Sequence, residues 1–201
     1  MNNGHNDPII DRIKELANRL DKGHNHTPHH SEHVAEYARA VCRMLHIRGK
    51  RKDIIINACL IHDIGKSVIG ADIWAKKKRL SEIDWYKIQL HPLISAKIAK
   101  EMGCDGKVVE LIYYHHVWFN GSGYPRKNGH SLKKGNRIPI GARILAICDA
   151  YEAMVSRRAY RDGEPSDEAI GELRKHAAEQ FDPRIVEVFI NTIIKTADTA
   201  G

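Results

Sequence analysis

The sequence predicts an all-α fold, a compact bundle of about seven or eight helices. Apolar residues recur at helical spacing along most of the 201 residues, and no segment shows a sustained alternation of polar and apolar side chains. Helix start signals such as Asp7-Pro8 and Asp182-Pro183 precede several of these apolar segments. Because 42% of the residues are hydrophobic, one domain of this length can bury a sizeable core.

Two amphipathic helices are predicted first, and an apolar helix follows them. An Asp-Pro start and apolar residues at helical spacing predict a helix over 8–20. A Thr-Pro start predicts the second helix, which runs over 28–48 until a glycine. The third segment, 54–61, is apolar almost all round and therefore belongs in the middle of the bundle. It ends at the pair His62 and Asp63.

Caps, prolines and apolar runs predict the remaining helices. Ser81 with Asp84 resembles a capping box that opens a helix toward His91, where a proline restarts the pattern. An aspartate at its start can cap a helix over 105–116. A glycine-rich, basic loop covers roughly 120–137. After this loop, further helices are predicted over 138–154, from Ser166 and from Pro183.

Composition argues against several classes of protein. No apolar run approaches the roughly 18 to 20 residues that span a bilayer, so we expect a soluble, cytoplasmic protein with no membrane partner. The four cysteines form no CxxC pair, and disulfides are therefore not expected. The charge of +7 can attract phosphate, although a solvated basic face is the commoner origin of such charge. No nucleic-acid motif accompanies it, so a nucleic acid partner is not expected.

Polar side chains inside or at the ends of apolar helices are the most informative feature. A single His-Asp pair is a weak signal, because a helix C-terminus also favours histidine. A core, however, rarely tolerates many buried polar groups without partners. Imidazoles and carboxylates in one pocket can bind two cations of the Fe, Mn or Zn type. The set consists of His30, His62, Asp63, His91, His115, His116 and Asp149.

Four short motifs follow one another in the chain. They are His62-Asp63-Ile64-Gly65-Lys66, His91-Pro92, His115-His116 with Gly121-Ser122-Gly123-Tyr124-Pro125, and Asp149-Ala150-Tyr151-Glu152-Ala153-Met154. In this order they resemble the HD-GYP subgroup of the HD-domain metal-dependent phosphohydrolases. The resemblance implies an all-helical fold and a centre of two or three iron or manganese ions. It also implies hydrolysis of the bacterial second messenger cyclic di-GMP to the linear dinucleotide. Whether GMP forms as a further product is left open.

The resemblance also implies a role for individual residues. The seven His and Asp residues named above match the metal ligands, with Asp63 bridging. Asp63 and Lys66 match catalytic positions, and Lys66 also reaches a substrate phosphate. The implied substrate-binding residues are Lys66, Gly121, Gly123, Tyr124, Arg158 and Arg161. His26 is a further candidate ligand, for a third metal, and an exposed histidine at a helix start is the alternative for it.

The chain also departs from the usual pattern of the subgroup. Val117 and Asn120 stand where Glu and Asp are usual, and Glu152 stands for a usual Asp. None of these departures removes a ligand. Because they surround the substrate, they leave open which cyclic dinucleotide fits.

Two other functions stay open beside the phosphodiesterase. One is a catalytically weak regulatory module that binds a cyclic dinucleotide or a protein, and the other is an HD phosphohydrolase acting on another cyclic dinucleotide or nucleotide. A homodimer or a separate sensor or regulator protein is a further candidate partner. We expect an N-terminal helix and lead-in over 1–24, the HD-GYP domain over 25–196 and a C-terminal tail over 197–201.

Overall fold

The computed structural model describes residues 7–20, 29–69, 73, 79–125, 133–156, 163 and 165–198. Ten α-helices have described bounds. They are α1 Pro8–Leu20, α2 His30–Met44, α3 Gly49–Ile61, α4 Lys66–Ile69, α5 Glu82–Ile88, α6 His91–Glu101, α7 Gly106–Tyr114, α8 Ile140–Val155, α9 Ser166–Lys175 and α10 Pro183–Asp198.

The predicted all-α fold is confirmed. Within the described ranges the only β-type pairing consists of two isolated bridges, Val117 with Gly123 and Ala177 with Phe181. Eight of the described helices have nine or more residues, in line with the predicted seven or eight, and the shorter helices are α4 and α5. None of the helices in the described part of the chain is long and apolar enough to cross a bilayer.

Several predicted helix starts are present. Asp7 accepts a hydrogen bond from the backbone N–H of Ile9 at 3.0 Å, and Asp105 caps α7. Ser81 and Asp84 form the predicted capping box of α5. The start of α3 differs from prediction, because the helix begins at Gly49 rather than near Ile54. Its first turn is basic and exposed, so the apolar pattern begins only where the helix enters the core.

Helix α3 lies at the centre of the bundle, as its apolar sequence predicted. It packs against α1, α2, α7 and α8. Ile55 on α3 and Ile144 on α8 are among the largest fully buried side chains. The four cysteines are free thiols, and Cys42, Cys59 and Cys148 are buried in this core.

Helix α1 packs onto this core rather than standing apart from it. Its Ile10 and Ile13 are buried in the same hydrophobic cluster as the residues of α3. The proposed division of the chain at residue 24 stays a prediction.

Candidate metal centre

The seven predicted ligand residues converge in the structure. Their ligand atoms form two groups, and within each group the atoms lie within 4.8 Å of one another. The His30 group consists of His30, His62, Asp63 and Asp149. The His91 group consists of His91, His115 and His116.

The ends of helices deliver three of these histidines. His62 follows the last residue of α3, His115 follows the last residue of α7, and His91 begins α6 just after α5 ends. The Nδ1 atom of each ring lies close to the backbone carbonyl three residues upstream. Because this carbonyl is near the end of a helix, it has no regular helical hydrogen-bond partner. The distances are 2.8 Å for His62 to Cys59, 2.8 Å for His91 to Ile88 and 2.6 Å for His115 to Ile112.

These contacts decide which ring nitrogen can bind a cation. A carbonyl oxygen only accepts hydrogen bonds, so each Nδ1 must carry the proton and donate it. The Nε2 atom of a neutral ring then holds a lone pair directed into the site. Metal-binding histidines are typically oriented by such a hydrogen bond to an outer partner.

Asp63 belongs to the His30 group and also faces the His91 group. Its Oδ2 atom is 3.3 Å from Nε2 of His62 and 3.7 Å from Nε2 of His30. Its Oδ1 atom is 3.3 Å from Nε2 of His91. The two carboxylate oxygens therefore face different groups, as a bridging ligand requires.

Asp149 faces both groups from the middle of α8. Its Oδ1 atom is 3.1 Å from Nε2 of His30 and 3.6 Å from Nε2 of His62. Its Oδ2 atom is 3.9 Å from Nε2 of His116. Two buried carboxylates thus lie among five imidazoles.

The electrostatic environment differs between the two groups. Burial lowers the pKa of His62, but the carboxylates of Asp63 and Asp149 outweigh burial and raise it to about 10. Burial would raise the pKa of Asp63, but the charges on His62 and Lys66 hold it well below its usual range. Burial lowers the pKa of His91 to about 3 and that of His115 to about 4. The His91 group therefore presents neutral imidazoles at neutral pH.

Two observations show that these residues fit a metal ion. The Nε2 atoms of His91 and His115 are 3.3 Å apart, although both rings are neutral and both Nδ1–H groups point at carbonyls. Their lone pairs therefore face each other, an arrangement that a cation would stabilise. Nε2 of His62 and Oδ1 of Asp63 are buried and make no hydrogen bond within the described residues. Buried polar atoms of this kind are rare without a partner or an ion.

The sequence model of the HD domain family matches residues 12–185. The chain belongs to the HD domain family. Its motifs are thus those of an HD domain, and the resemblance predicted from their order is confirmed.

Curated relatives of this HD domain share a little over a quarter of its residues. It is 29% identical over 180 residues to a 3'3'-cGAMP-specific phosphodiesterase 2 of Vibrio cholerae, covering 89% of this chain and 34% of that protein. It is also 29% identical over 181 residues to a cyclic di-GMP phosphodiesterase of Thermotoga maritima, covering 89% of this chain and 48% of that protein. The chain therefore spans between about a third and a half of the length of these relatives.

Solved structures show the same fold at lower identity. A cyclic GMP-AMP specific phosphodiesterase of V. cholerae superimposes with a TM-score of 0.66 at 19% identity, covering 92% of this chain and 48% of that chain. The HD domain of the L. monocytogenes phosphodiesterase PgpH, in complex with cyclic-di-AMP, superimposes with a TM-score of 0.63 at 18% identity. That match covers 98% of this chain and 100% of that one.

Lys66 and Tyr124 of the HD domain lie beside the two groups, and their predicted roles toward substrate stay predictions. Nζ of Lys66 is 2.5 Å from Oδ2 of Asp63. The ring of Tyr124 packs on His116 with centroids 4.6 Å apart and is 6.0 Å from the ring of His91. Tyr124 therefore forms a wall of the His91 group.

Glycines allow two close approaches that hold this arrangement together. A Cβ atom at Gly65 would lie 2.5 Å from the carbonyl oxygen of His91, so only glycine lets the segment after Asp63 reach the start of α6. Gly123 has a φ of +82°, and a Cβ there would lie 2.2 Å from the carbonyl oxygen of His116. Gly121 also has a positive φ, of +90°.

Replacing Gly123 with alanine is expected to destabilise the loop that carries Tyr124. The positive φ and the clash with the His116 carbonyl should lower the free energy of unfolding by about 1 to 3 kcal/mol. Gly171, inside α9, has no atom within 4 Å of the position of an added Cβ. Gly171→Ala is therefore the matched control and should raise stability by up to about 1 kcal/mol. Chemical denaturation measures both, and equal stability of the two variants would contradict the role of Gly123.

Three predicted site residues, His26, Arg158 and Arg161, lie outside the described residues.

The sequence indicates Glu152 only as a departure from the family pattern and does not reveal its contact. In the structure, the carboxylate of Glu152 is hydrogen-bonded to Nδ1 of His30. The available signal was its position three residues after Asp149, which places both side chains on one face of α8.

Proposed function

We propose that this HD domain is a metal-dependent phosphodiesterase that hydrolyses a cyclic dinucleotide, with cyclic di-GMP as the leading substrate. The observation that carries the proposal is the position of Asp63, whose two oxygens face the His30 group and the His91 group. The names of the relatives support the reaction class, since they describe cyclic di-GMP and 3'3'-cGAMP phosphodiesterases. Because both names occur at the same identity, 3'3'-cGAMP is the second candidate substrate.

Two divalent ions, of iron or manganese, would be held by the His30 group and the His91 group. When bound, such ions supply Lewis acidity to the phosphodiester and to the water that attacks it. The protein holds the imidazoles of His62, His91 and His115 in one tautomer through their Nδ1–H bonds. The charges of Asp63 and Asp149 neutralise half of the charge of two divalent ions. The remaining positive charge matches the two phosphates of a cyclic dinucleotide.

Lys66 and Tyr124 contribute to the reaction from the rim of the site. The ammonium of Lys66 lies next to Asp63, where it can stabilise negative charge that develops on a phosphoryl oxygen. Tyr124 packs on His116 and presents an aromatic surface beside the His91 group. We propose that this surface positions the substrate, together with the loop that contains Gly121 and Gly123.

Arg158→Ala and Arg161→Ala are each expected to weaken substrate binding while metal content stays unchanged. A lost charge-assisted hydrogen bond to phosphate costs roughly 1.5 to 3 kcal/mol, which is about ten- to a hundredfold in KM. Arg174→Ala is the control, because Arg174 is exposed on α9. Steady-state kinetics and metal analysis of the three variants provide the test. Wild-type kinetics in both the Arg158 and the Arg161 variant would contradict the assignment.

Turnover of defined cyclic dinucleotides tests the proposed function. The manganese-loaded and iron-loaded protein is incubated with cyclic di-GMP, 3'3'-cGAMP and cyclic di-AMP, and the products are separated by chromatography. We expect linear dinucleotide from cyclic di-GMP, at a higher kcat/KM than from the other two. Faster cleavage of 3'3'-cGAMP would transfer the proposal to that substrate. Binding of cyclic di-GMP without turnover would instead support the regulatory module.

A further inference from the structure

Glu152 is a buried carboxylate that contacts the His30 group without belonging to it. It lies on α8 and is only 1% exposed. One carboxylate oxygen is hydrogen-bonded to Nδ1 of His30. The other accepts a hydrogen bond of 2.5 Å from the hydroxyl of Ser156, and Nδ1 of His33 lies 3.6 Å from it.

The contact with His30 corresponds to the carbonyl contacts of the other histidines. In His62, His91 and His115 the Nδ1–H group donates to a backbone carbonyl of the preceding helix end. For His30, the first residue of α2, the acceptor is the side chain of Glu152 on a different helix. A carboxylate is a stronger acceptor than a carbonyl, and it also raises the basicity of the ring.

We propose that Glu152 is a positioning residue that fixes the tautomer and orientation of His30 and thereby sets the metal affinity of the His30 group. The inference rests on the proposed metal centre. With the proton held on Nδ1, Nε2 of His30 points at Asp149, 3.1 Å away, and at Asp63, 3.7 Å away. Ser156 in turn fixes the carboxylate through the other oxygen.

The length of the side chain is part of this arrangement. Glu152 bridges α8 to His30 on α2 and at the same time accepts from Ser156, the residue that follows the last residue of α8. An aspartate is one methylene shorter, so its carboxylate extends less far from the same backbone position toward His30 and Ser156. Glu152→Asp should therefore weaken the His30 group although the negative charge is retained.

Manganese titration of the metal-free protein tests the inference, with free Mn²⁺ measured by electron paramagnetic resonance. We expect two classes of Mn²⁺ site in the unsubstituted protein, the parent of the variants below. Glu152→Gln keeps the size of the side chain but removes its charge, and it should weaken one class by about ten- to a hundredfold. His30→Ala should weaken the same class, which assigns that class to the His30 group. Ser156→Ala should cause a smaller loss in the same class.

A second buried carboxylate provides the control for a merely structural effect. Asp182 is 3% exposed and pairs with Arg143, and it has no contact with either metal group among the described residues. Asp182→Asn should lower the midpoint of thermal unfolding but leave both Mn²⁺ affinities at the parent level. If Glu152→Gln bound Mn²⁺ with the parent's affinity in both classes of site, or with an equally weakened affinity in both, the role of Glu152 would be wrong. The metal centre itself would still stand. A parent that binds no Mn²⁺ would overturn the metal centre and the role of Glu152 with it.

Discussion

Asp63→Asn is expected to abolish hydrolysis and to remove most of the bound metal. The oxygens of Asp63 approach both the His30 group and the His91 group, at 3.3 Å from His62 and 3.3 Å from His91, and the contact with the His91 group is closer than that of Asp149, at 3.9 Å. Asparagine keeps the shape but carries no charge, and its amide nitrogen cannot bind a cation. Loss of metal-derived stabilisation of the transition state costs several kcal/mol, and about 4 kcal/mol corresponds to roughly a thousandfold in kcat.

Asp53→Asn is the matched control for this experiment. Asp53 lies on α3, the helix that precedes Asp63, but it is exposed and pairs with Lys52 at 3.5 Å. The control should keep the parent's metal content and kcat. If Asp63→Asn retained more than about a tenth of the activity, the bridging role of Asp63 would be wrong.

His115→Ala is expected to remove one metal per chain and most of the activity. The His115 ring is fully buried, and its centroid lies 5.2 Å from that of His62 and 5.3 Å from that of His91. The His91 group would keep only two imidazoles, too few to complete a typical site for iron or manganese. The His30 group keeps all of its side chains, so one ion should stay bound.

Metal analysis together with kinetics checks this expectation. His176→Ala is the control, because His176 is half-exposed at the end of α9 and pairs with Glu172 at 3.4 Å. The His115 variant should hold about half of the parent's metal and show a loss of kcat of about a hundredfold or more. Full metal content in this variant would show that the His91 group does not hold an ion.

The convergence of His62, His91 and His115 follows from features that the sequence displays. Each of them ends or restarts an apolar helical pattern, and helices that share one core bring their ends together. The apolar pattern predicts a start of α3 that is several residues too late, because Lys50 and Arg51 face solvent and carry no periodic signal. The sequence pattern does not predict α4, since a helix of four residues, Lys66–Ile69, is too short for periodicity to show.

The role of Glu152 could not be derived from sequence. A glutamate in a largely apolar helix predicts only that it has a partner, and nothing in the spacing identifies His30, which is 122 residues away. The same limit applies to Lys66, whose pairing with Asp63 depends on the turn between α3 and α4. Motif order therefore predicted which side chains form the two groups, whereas the contacts that orient these side chains required the fold.

The most direct test of the metal centre is the metal content of active protein purified without oxygen. Each preparation is divided, so that iron and manganese per chain and the rate of cyclic dinucleotide hydrolysis are measured on the same sample. We expect at least two ions per chain in active protein, because the proposed site would hold one ion in the His30 group and one in the His91 group. Active protein with fewer than one ion per chain would contradict the mechanism.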